Sequence, residues 1–155
     1  MDAEELLRRY ANGERDFAEV DLSNANLKKS KLIDINLTKT NLTDADLSGA
    51  ELMNANLSGA NLISAELMNA NLSGANLSDA NMDCIHLINA NLTEANLTEA
   101  NLDGAELIKA NFSGANLKGA WLQGADLTGA NLSNACLENA TLHYADVTDA
   151  NRAWS

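Results

Sequence analysis

The chain has 155 residues, of which 46% are hydrophobic but only 4% aromatic, and this composition predicts a single domain with a thin aliphatic core. Its net charge is −12 and its basic residues cluster only at Lys28, Lys29, Lys31 and Lys39, which argues against direct nucleic-acid binding through phosphate contacts. No segment is long and apolar enough to span a membrane, and the acidic N-terminus lacks the basic region of a signal peptide, so we expect a cytoplasmic protein.

Residues 1–14 are predicted to form a short capping helix followed by a turn. Asp2 is a suitable N-cap residue, with Glu5 three positions later. Asn12-Gly13 is a typical helix stop signal. We expect this helix to cover the open edge of the structure that follows it.

Residues 15–150 consist of a five-residue repeat that runs from Phe17 to Val147 without an insertion or deletion. Of its 27 central positions, 23 are Leu and the other four are also apolar, and the position two before the centre is Ala in 21 repeats. Two apolar positions separated by two lie on one face of an extended chain, whereas a helix requires separations of three and four. The sequence therefore predicts extended structure and excludes a helical repeat.

Each repeat needs a bend, because strict alternation over five residues would turn the next apolar pair outward. The position two after each centre carries eight of the nine glycines, six Asn and four Asp, which are the residues that tolerate a positive φ. The chain has no proline, as expected where backbone N–H groups form continuous ladders. These features predict a stacked, closed all-β solenoid.

The position before each centre indicates how many repeats form one coil. This position is usually Asn, and most exceptions between residues 46 and 126 are spaced by twenty: Asp46, Glu66, His86, Glu106 and Asp126. A period of twenty predicts four repeats per coil. A second similarity relates Glu51–Leu62 to Glu66–Leu77 at a distance of fifteen residues, and we interpret it as a slipped duplication.

Over residues 15–150 this pattern resembles the pentapeptide-repeat family, and the segment from Tyr10 to Phe17 resembles the start of members common in photosynthetic bacteria. The resemblance implies a right-handed quadrilateral (square) parallel β-helix of about seven four-repeat coils, with the centre and the Ala position pointing inward. Ile85 occupies a small inward position, so we expect a local distortion of Met82–Leu87. Arg152 at the next central position marks the end of the repeats and the start of a tail, residues 151–155.

The far end of a β-helix also needs protection, because an open edge invites pairing with another chain. Two solutions are open: Trp154 folds over the last coil, or two C-terminal ends meet in a homodimer.

No arrangement of residues predicts catalysis or a cofactor site. The glycines are periodic turn residues, and a column filled by Leu and Ala leaves no interior pocket. His86 lies between Glu66 and Glu106, but ligands in a straight column about 4.8 Å apart do not converge on one metal ion. Cys84 and Cys136 lie more than two coils apart and are predicted to be reduced surface thiols. We therefore predict a non-enzymatic protein with no cofactor and no metal.

One of the four outer faces differs from the others in composition. Three faces are expected to carry stacked Asn side chains, whereas on the fourth the position before the centre is acidic or His, and an apolar residue follows the centre. Charge beside exposed hydrophobic surface is the most site-like combination in the chain, although an incidental surface ladder is the alternative. The candidate partner-binding residues are Glu66, Met68, His86, Ile88, Glu106 and Ile108.

The predicted function is that of a structural or protein-interaction rod with an unknown protein partner. The family resemblance adds an alternative, since some members inhibit DNA gyrase by resembling duplex DNA. Residues 40–108 contain ten acidic residues and no Lys or Arg. At ~4.8 Å per coil they span about 16 Å, a length on which duplex DNA carries about ten phosphates. Solubility of an acidic rod explains the same charge without a partner.

Overall fold

The computed structural model describes residues 1–154, so Ser155, the end of the predicted tail, lies outside the described residues. Helix α1 spans Ala3–Ala11. As predicted, Asp2 is its N-cap, and the Asp2 carboxylate accepts a hydrogen bond of 2.8 Å from the Glu5 N–H. Asn12 is the C-cap residue, and Gly13 follows it with a φ of 98°.

Asp16 to Asn151 form a stack of parallel β-bridges in place of long strands. Each repeat contributes one bridge residue, at the position before its centre, and then a two-residue turn. The bridge residues pair at intervals of twenty, for example Asn56 with Asn76 and Asn76 with Asn96. Four repeats therefore make one coil, which confirms the period that the exceptions to Asn predicted.

Three backbone hydrogen bonds per repeat join each coil to its neighbours. In the repeat centred on Leu57, the Leu57 N–H donates to the Asn76 carbonyl (2.7 Å), and the Gly59 N–H donates to the Ser78 carbonyl (2.9 Å). In the other direction, the Asn56 N–H donates to the Ile35 carbonyl (2.9 Å). The same pattern recurs along the column, so the coils are held in one register.

The position two after each centre forms the corner of the coil, as the glycine pattern predicted. All 27 corner residues have a positive φ, and they comprise eight glycines and nineteen other residues. A non-glycine residue in this region costs roughly 1–2 kcal/mol, so the hydrogen bonds between coils must offset the backbone strain at many corners. The turn itself is closed by a further bond, such as the Ala60 N–H to the Leu57 carbonyl (3.0 Å).

The centres and the positions two before them fill the interior. All the centres from Phe17 to Leu132 are buried, and Ala occupies most of the small inward positions between them. Two of those positions hold buried hydroxyls, and both are satisfied: Ser30 donates to the Leu27 carbonyl and Thr40 to the Phe17 carbonyl.

The distortion expected near Met82–Leu87 is absent, and that prediction was wrong. Ile85 is buried, its N–H closes the usual turn to the Met82 carbonyl (3.1 Å), and the His86 N–H reaches the Ala65 carbonyl (3.0 Å). Ile35 occupies the equivalent small position between Leu32 and Leu37 and is equally buried, so the column has room for Ile at this position.

Helix α1 and the segment after it contact the first coil through charged and aromatic side chains. Arg9 forms two hydrogen bonds with the Glu14 carboxylate and lies over the Phe17 ring, 5.3 Å from its centre. The Tyr10 hydroxyl donates to the Ile33 carbonyl (2.9 Å), and the Met1 ammonium donates to the Asp21 carbonyl (3.1 Å). The cap therefore supplies hydrogen-bond donors to carbonyl groups of the first coil, which have no preceding coil to bond them.

At the other end the last coil is less well covered. Leu137, Leu142 and Val147 are only half-buried, and Trp154 packs against the apolar core, as the first of the two predicted solutions requires. Within residues 1–154, the six backbone N–H groups at the centres and corners of this coil, which elsewhere donate to the following coil, have no partner: those of Leu137, Asn139, Leu142, Tyr144, Val147 and Asp149.

The ion pair of the cap predicts a pH dependence. The Arg9 hydrogen bonds lower the pKa of Glu14 below its ordinary value of 4.5, with burial acting in the opposite direction. A lowered pKa in the folded state gives stability that is present above the unfolded pKa and is lost as the pH falls through the folded value. The melting temperature of the wild type should therefore exceed that of Glu14→Gln at pH 7, and the difference should shrink as the pH is lowered below 4.5. Glu4→Gln, which removes no ion pair of residues 1–154, is the control. A difference independent of pH would contradict the assignment.

Candidate functional site

The six predicted residues lie together on one face of the solenoid. Glu66 pairs with His86 and His86 with Glu106 in consecutive parallel bridges, and the side-chain contact between His86 Nδ1 and Glu106 Oε2 is 3.0 Å. Glu66 is exposed and the other five residues are half-buried. We call this surface the acidic-apolar face, and it consists of Glu66, Met68, His86, Ile88, Glu106 and Ile108.

Asn at the position before the centre has a structural role on the other faces. The Asn76 amide donates to Asn56 Oδ1 (3.3 Å) and accepts from Asn96 (3.2 Å), which confirms the predicted amide ladder. The same Asn76 Oδ1 also accepts from the Ser78 N–H two residues later (3.1 Å). Short Asn and Asp side chains form this local contact readily, so Asn satisfies an outward N–H that the coil-to-coil ladder leaves free.

The acidic-apolar face lacks this contact in three consecutive coils. The side chains of Glu66, His86 and Glu106 form no hydrogen bond with the backbone N–H two residues later. Those N–H groups, of Met68, Ile88 and Ile108, have no partner among residues 1–154. The hydroxyl residues common after the centre elsewhere are replaced here by Met and Ile. Both replacements were predicted from the sequence, but the unpaired N–H groups were not. The signal was the simultaneous loss of Asn and of Ser or Thr in one repeat.

Charged and hydroxyl partners stabilise the carboxylates at the two ends of the same column. Burial opposes ionisation of Asp46, but the Lys28 ammonium at 2.7 Å and the hydrogen bond from the Ser48 N–H (3.1 Å) outweigh it, so the pKa of Asp46 is lowered. Hydrogen bonds from the Thr148 hydroxyl and N–H lower the pKa of Asp146. The column therefore remains anionic at both ends at neutral pH.

Outside this face the described residues form few features of a metal, thiol or ligand site. No group of three His, Cys, Asp or Glu within residues 1–154 is arranged to hold a metal ion. Cys84 and Cys136 are both free, and burial, followed by the Asp83 charge and hydrogen bond, raises the pKa of the Cys84 thiol. A cavity of about 610 Å³ lies at the last coil, beside Tyr144, Val147 and Arg152, and not inside the column. No helix of the described chain could cross a membrane.

Parallel bridges every twenty residues, four corners per coil and an aliphatic interior define a quadrilateral β-solenoid. The family model for pentapeptide repeats matches the sequence in eight copies, over residues 21–59, 50–84, 80–121 and 120–151. The chain therefore belongs to the pentapeptide-repeat family. Proteins of this family are generally structural scaffolds. A search of curated proteins found no significant match.

Solved structures of pentapeptide-repeat proteins are similar to this chain. HetL from the cyanobacterium Nostoc sp. strain PCC 7120, involved in the regulation of heterocyst differentiation, is 32% identical over 100% of this chain and 94% of its own, with a TM-score of 0.45. Rfr23 from the cyanobacterium Cyanothece 51142 is 26% identical over 98% of both chains, with a TM-score of 0.51. QnrB1, a plasmid-mediated fluoroquinolone resistance protein, is 22% identical over 87% of this chain and 80% of its own, with a TM-score of 0.62. These neighbours imply a right-handed β-helix, to which α1 adds a cap.

The missing Asn contact predicts that the acidic-apolar face reduces stability. Glu66→Asn should raise the free energy of unfolding by about 0.5–1.5 kcal/mol, because the new Oδ1 can accept the Met68 N–H. The reverse change on an Asn face, Asn76→Glu, should lower it by a similar amount. Urea unfolding of both variants measures the effect. If Glu66→Asn leaves stability unchanged or lowers it, the free N–H at Met68 has no energetic cost.

Proposed function

We propose that this protein is a non-enzymatic rod of about seven coils that binds a protein partner through its acidic-apolar face. The observation that carries the proposal is the coincidence of three features in three consecutive coils. These are a charged or ionisable side chain in place of Asn, a half-buried Met or Ile beside it, and an unpaired backbone N–H. Each feature costs local stability or solubility, and together they supply donor, acceptor and apolar surface to a partner.

The rigid lattice of the solenoid supports this proposal. Since consecutive coils lie about 4.8 Å apart, the three repeats present their side chains as a straight strip about 10 Å long. Neighbouring repeats on the same coils carry the regular Asn and hydroxyl pattern, such as Asn71 with Ser73 and Asn91 with Thr93. The strip therefore has a matched reference surface on the adjoining face.

A pull-down with a lysate of the source organism tests the proposal. A protein captured by the wild type should be lost with Met68→Lys/Ile88→Lys, because two cations would replace two of the three apolar residues of this face. Ser73→Lys/Thr93→Lys is the matched control, since it adds the same charge at equivalent positions of the same coils, and it should retain the partner. Capture of the same proteins by all three chains, or by none, would leave the acidic-apolar face without a binding role.

A gyrase-directed DNA mimic is the second candidate, and charge favours it. Residues 40–108 carry ten acidic side chains and no Lys or Arg. The relevant surface would be the whole acidic middle of the rod, and not one face. The likeness to QnrB1 concerns the fold alone. The rod is about 32 Å long at ~4.8 Å per coil, roughly one turn of duplex DNA, so an end-to-end dimer would extend the mimic.

A DNA supercoiling assay separates the two candidates. A mimic should inhibit or protect gyrase in proportion to protein concentration, and the effect should weaken with added salt because it depends on unpaired surface charge. Replacing Glu94 and Glu99 by Gln should weaken the effect further, while Met68→Lys/Ile88→Lys should leave most of it. If a large excess of protein has no effect on gyrase, the DNA-mimic function is excluded. The pull-down then decides whether the protein is a partner-binding rod.

The proposal also includes a cytoplasmic location, where both thiols remain reduced, and a homodimer through the C-terminal end. The half-buried Leu137, Leu142 and Val147 support such a contact. The unpaired groups there are mostly N–H donors, so two C-terminal edges could not continue the ladder and a dimer would depend on side chains. A single monomeric species in sedimentation velocity would remove this part of the proposal.

A further inference from the structure

Two large apolar side chains are exposed among the described residues, and both lie on one face near the last coils. Trp121 is 50% exposed and Tyr144 is 96% exposed. Trp121 pairs with Thr141 in the next coil, and Tyr144 follows Thr141 by three residues. We call this surface the aromatic patch, and it consists of Trp121, Gln123, Gly124, His143 and Tyr144. It is separate from the acidic-apolar face.

The corner between the two rings is bare. Seven of the eight corner glycines have a side chain of the preceding coil over them, whereas Gly124 has no atom within 4 Å of the position of an added Cβ. The corner that stacks on it in the preceding coil is also a glycine, Gly104, which has no side chain to cover Gly124. The exposed backbone at Gly124 therefore forms a shallow notch beside the Trp121 ring.

The aromatic patch is rich in hydrogen-bond donors. Trp121 has an indole N–H, Tyr144 a hydroxyl and Gln123 an amide, and all three residues are exposed. The His143 N–H has no partner within residues 1–154, because Thr141 stands where Asn or Asp accepts this bond in most coils. None of the residues that form the patch carries a fixed charge. A ligand that fits it should offer acceptors and apolar rings, and it needs no charge of its own.

We propose that the aromatic patch binds a proline-rich segment in the polyproline II conformation. Proline has no N–H, so such a segment presents carbonyl acceptors and pyrrolidine rings, which are the complements of donors and exposed aromatic faces. Three residues, the last two of them in the turn, separate the columns of Trp121 and Tyr144, a distance of at most about 10 Å. One turn of polyproline II is about 9 Å long, so two prolines one turn apart reach both rings. The chain itself contains no proline that could occupy the patch.

Titration of the full chain with a fluorescein-labelled decaproline peptide tests this proposal. Fluorescence anisotropy should show saturable binding, and Trp121→Ala and Tyr144→Ala should each weaken it at least tenfold. Ser133→Ala, on the same coil as Trp121 but on the opposite face, should change the affinity less than twofold. In a Trp154→Phe background Trp121 is the only tryptophan, and its emission should shift when unlabelled decaproline is added.

Two further ligands and two conservative variants make the test decisive. A ten-residue Gly-Ser peptide has no polyproline II preference and should bind at least tenfold more weakly than decaproline. Equal binding of the two peptides, or no saturable binding of decaproline, overturns the proposal. A shift of Trp121 emission with cellohexaose but not with decaproline would identify a saccharide site instead. If Trp121→Ala does not fold, Tyr144→Ala decides the result, and Trp121→Phe should retain part of the affinity.

Discussion

The structure depends on one constraint, which is that every repeat bends at the same position. The ladder between coils forms only if residues twenty apart stay in register, and that register requires a left-handed backbone at each corner. Nineteen of those corners are not glycine, so the ladder and the buried centres together must outweigh an intrinsic preference for other conformations. A single inserted residue would turn the following apolar pairs outward. This explains why the repeat contains no insertion.

This constraint leaves function to the outward positions, and most of those positions also have a structural role. Asn before the centre bonds both to the next coil and to the N–H two residues later, as Asn76 shows. Where Glu66, His86 and Glu106 replace Asn, the local bond is lost and an unpaired donor appears beside an apolar side chain. Thr141 has a related effect on another face, where the His143 N–H is unpaired, whereas the N–H of Gln123 after Trp121 donates to Asp103 Oδ1 (2.8 Å). Departures from the repeat are thus the places where the solenoid gives up local stability for surface chemistry.

The two ends of the solenoid differ chemically because the ladder has a direction. The first coil exposes mostly carbonyl groups, and the cap supplies donors to two of them from Met1 and Tyr10. The last coil exposes mostly N–H groups, and within the described chain Trp154 covers the apolar core there without pairing those donors. An end cap must therefore match the polarity of its edge as well as its hydrophobicity.

The sequence by itself determined the solenoid, its twenty-residue coil, its inward positions and the N-cap at Asp2, because these follow from local periodicity and capping chemistry. It also placed the six residues of the acidic-apolar face in one column. The tertiary structure decided what depends on neighbours from other coils. Ile85 fits without distortion because the column accepts Ile at the small inward position, as Ile35 also shows. The bare corner at Gly124 depends on the residue twenty positions earlier, and the packing of Arg9 over Phe17 joins the helix to the first coil, so neither follows from the five-residue pattern. The unpaired N–H groups, by contrast, follow from the local loss of Asn two residues earlier.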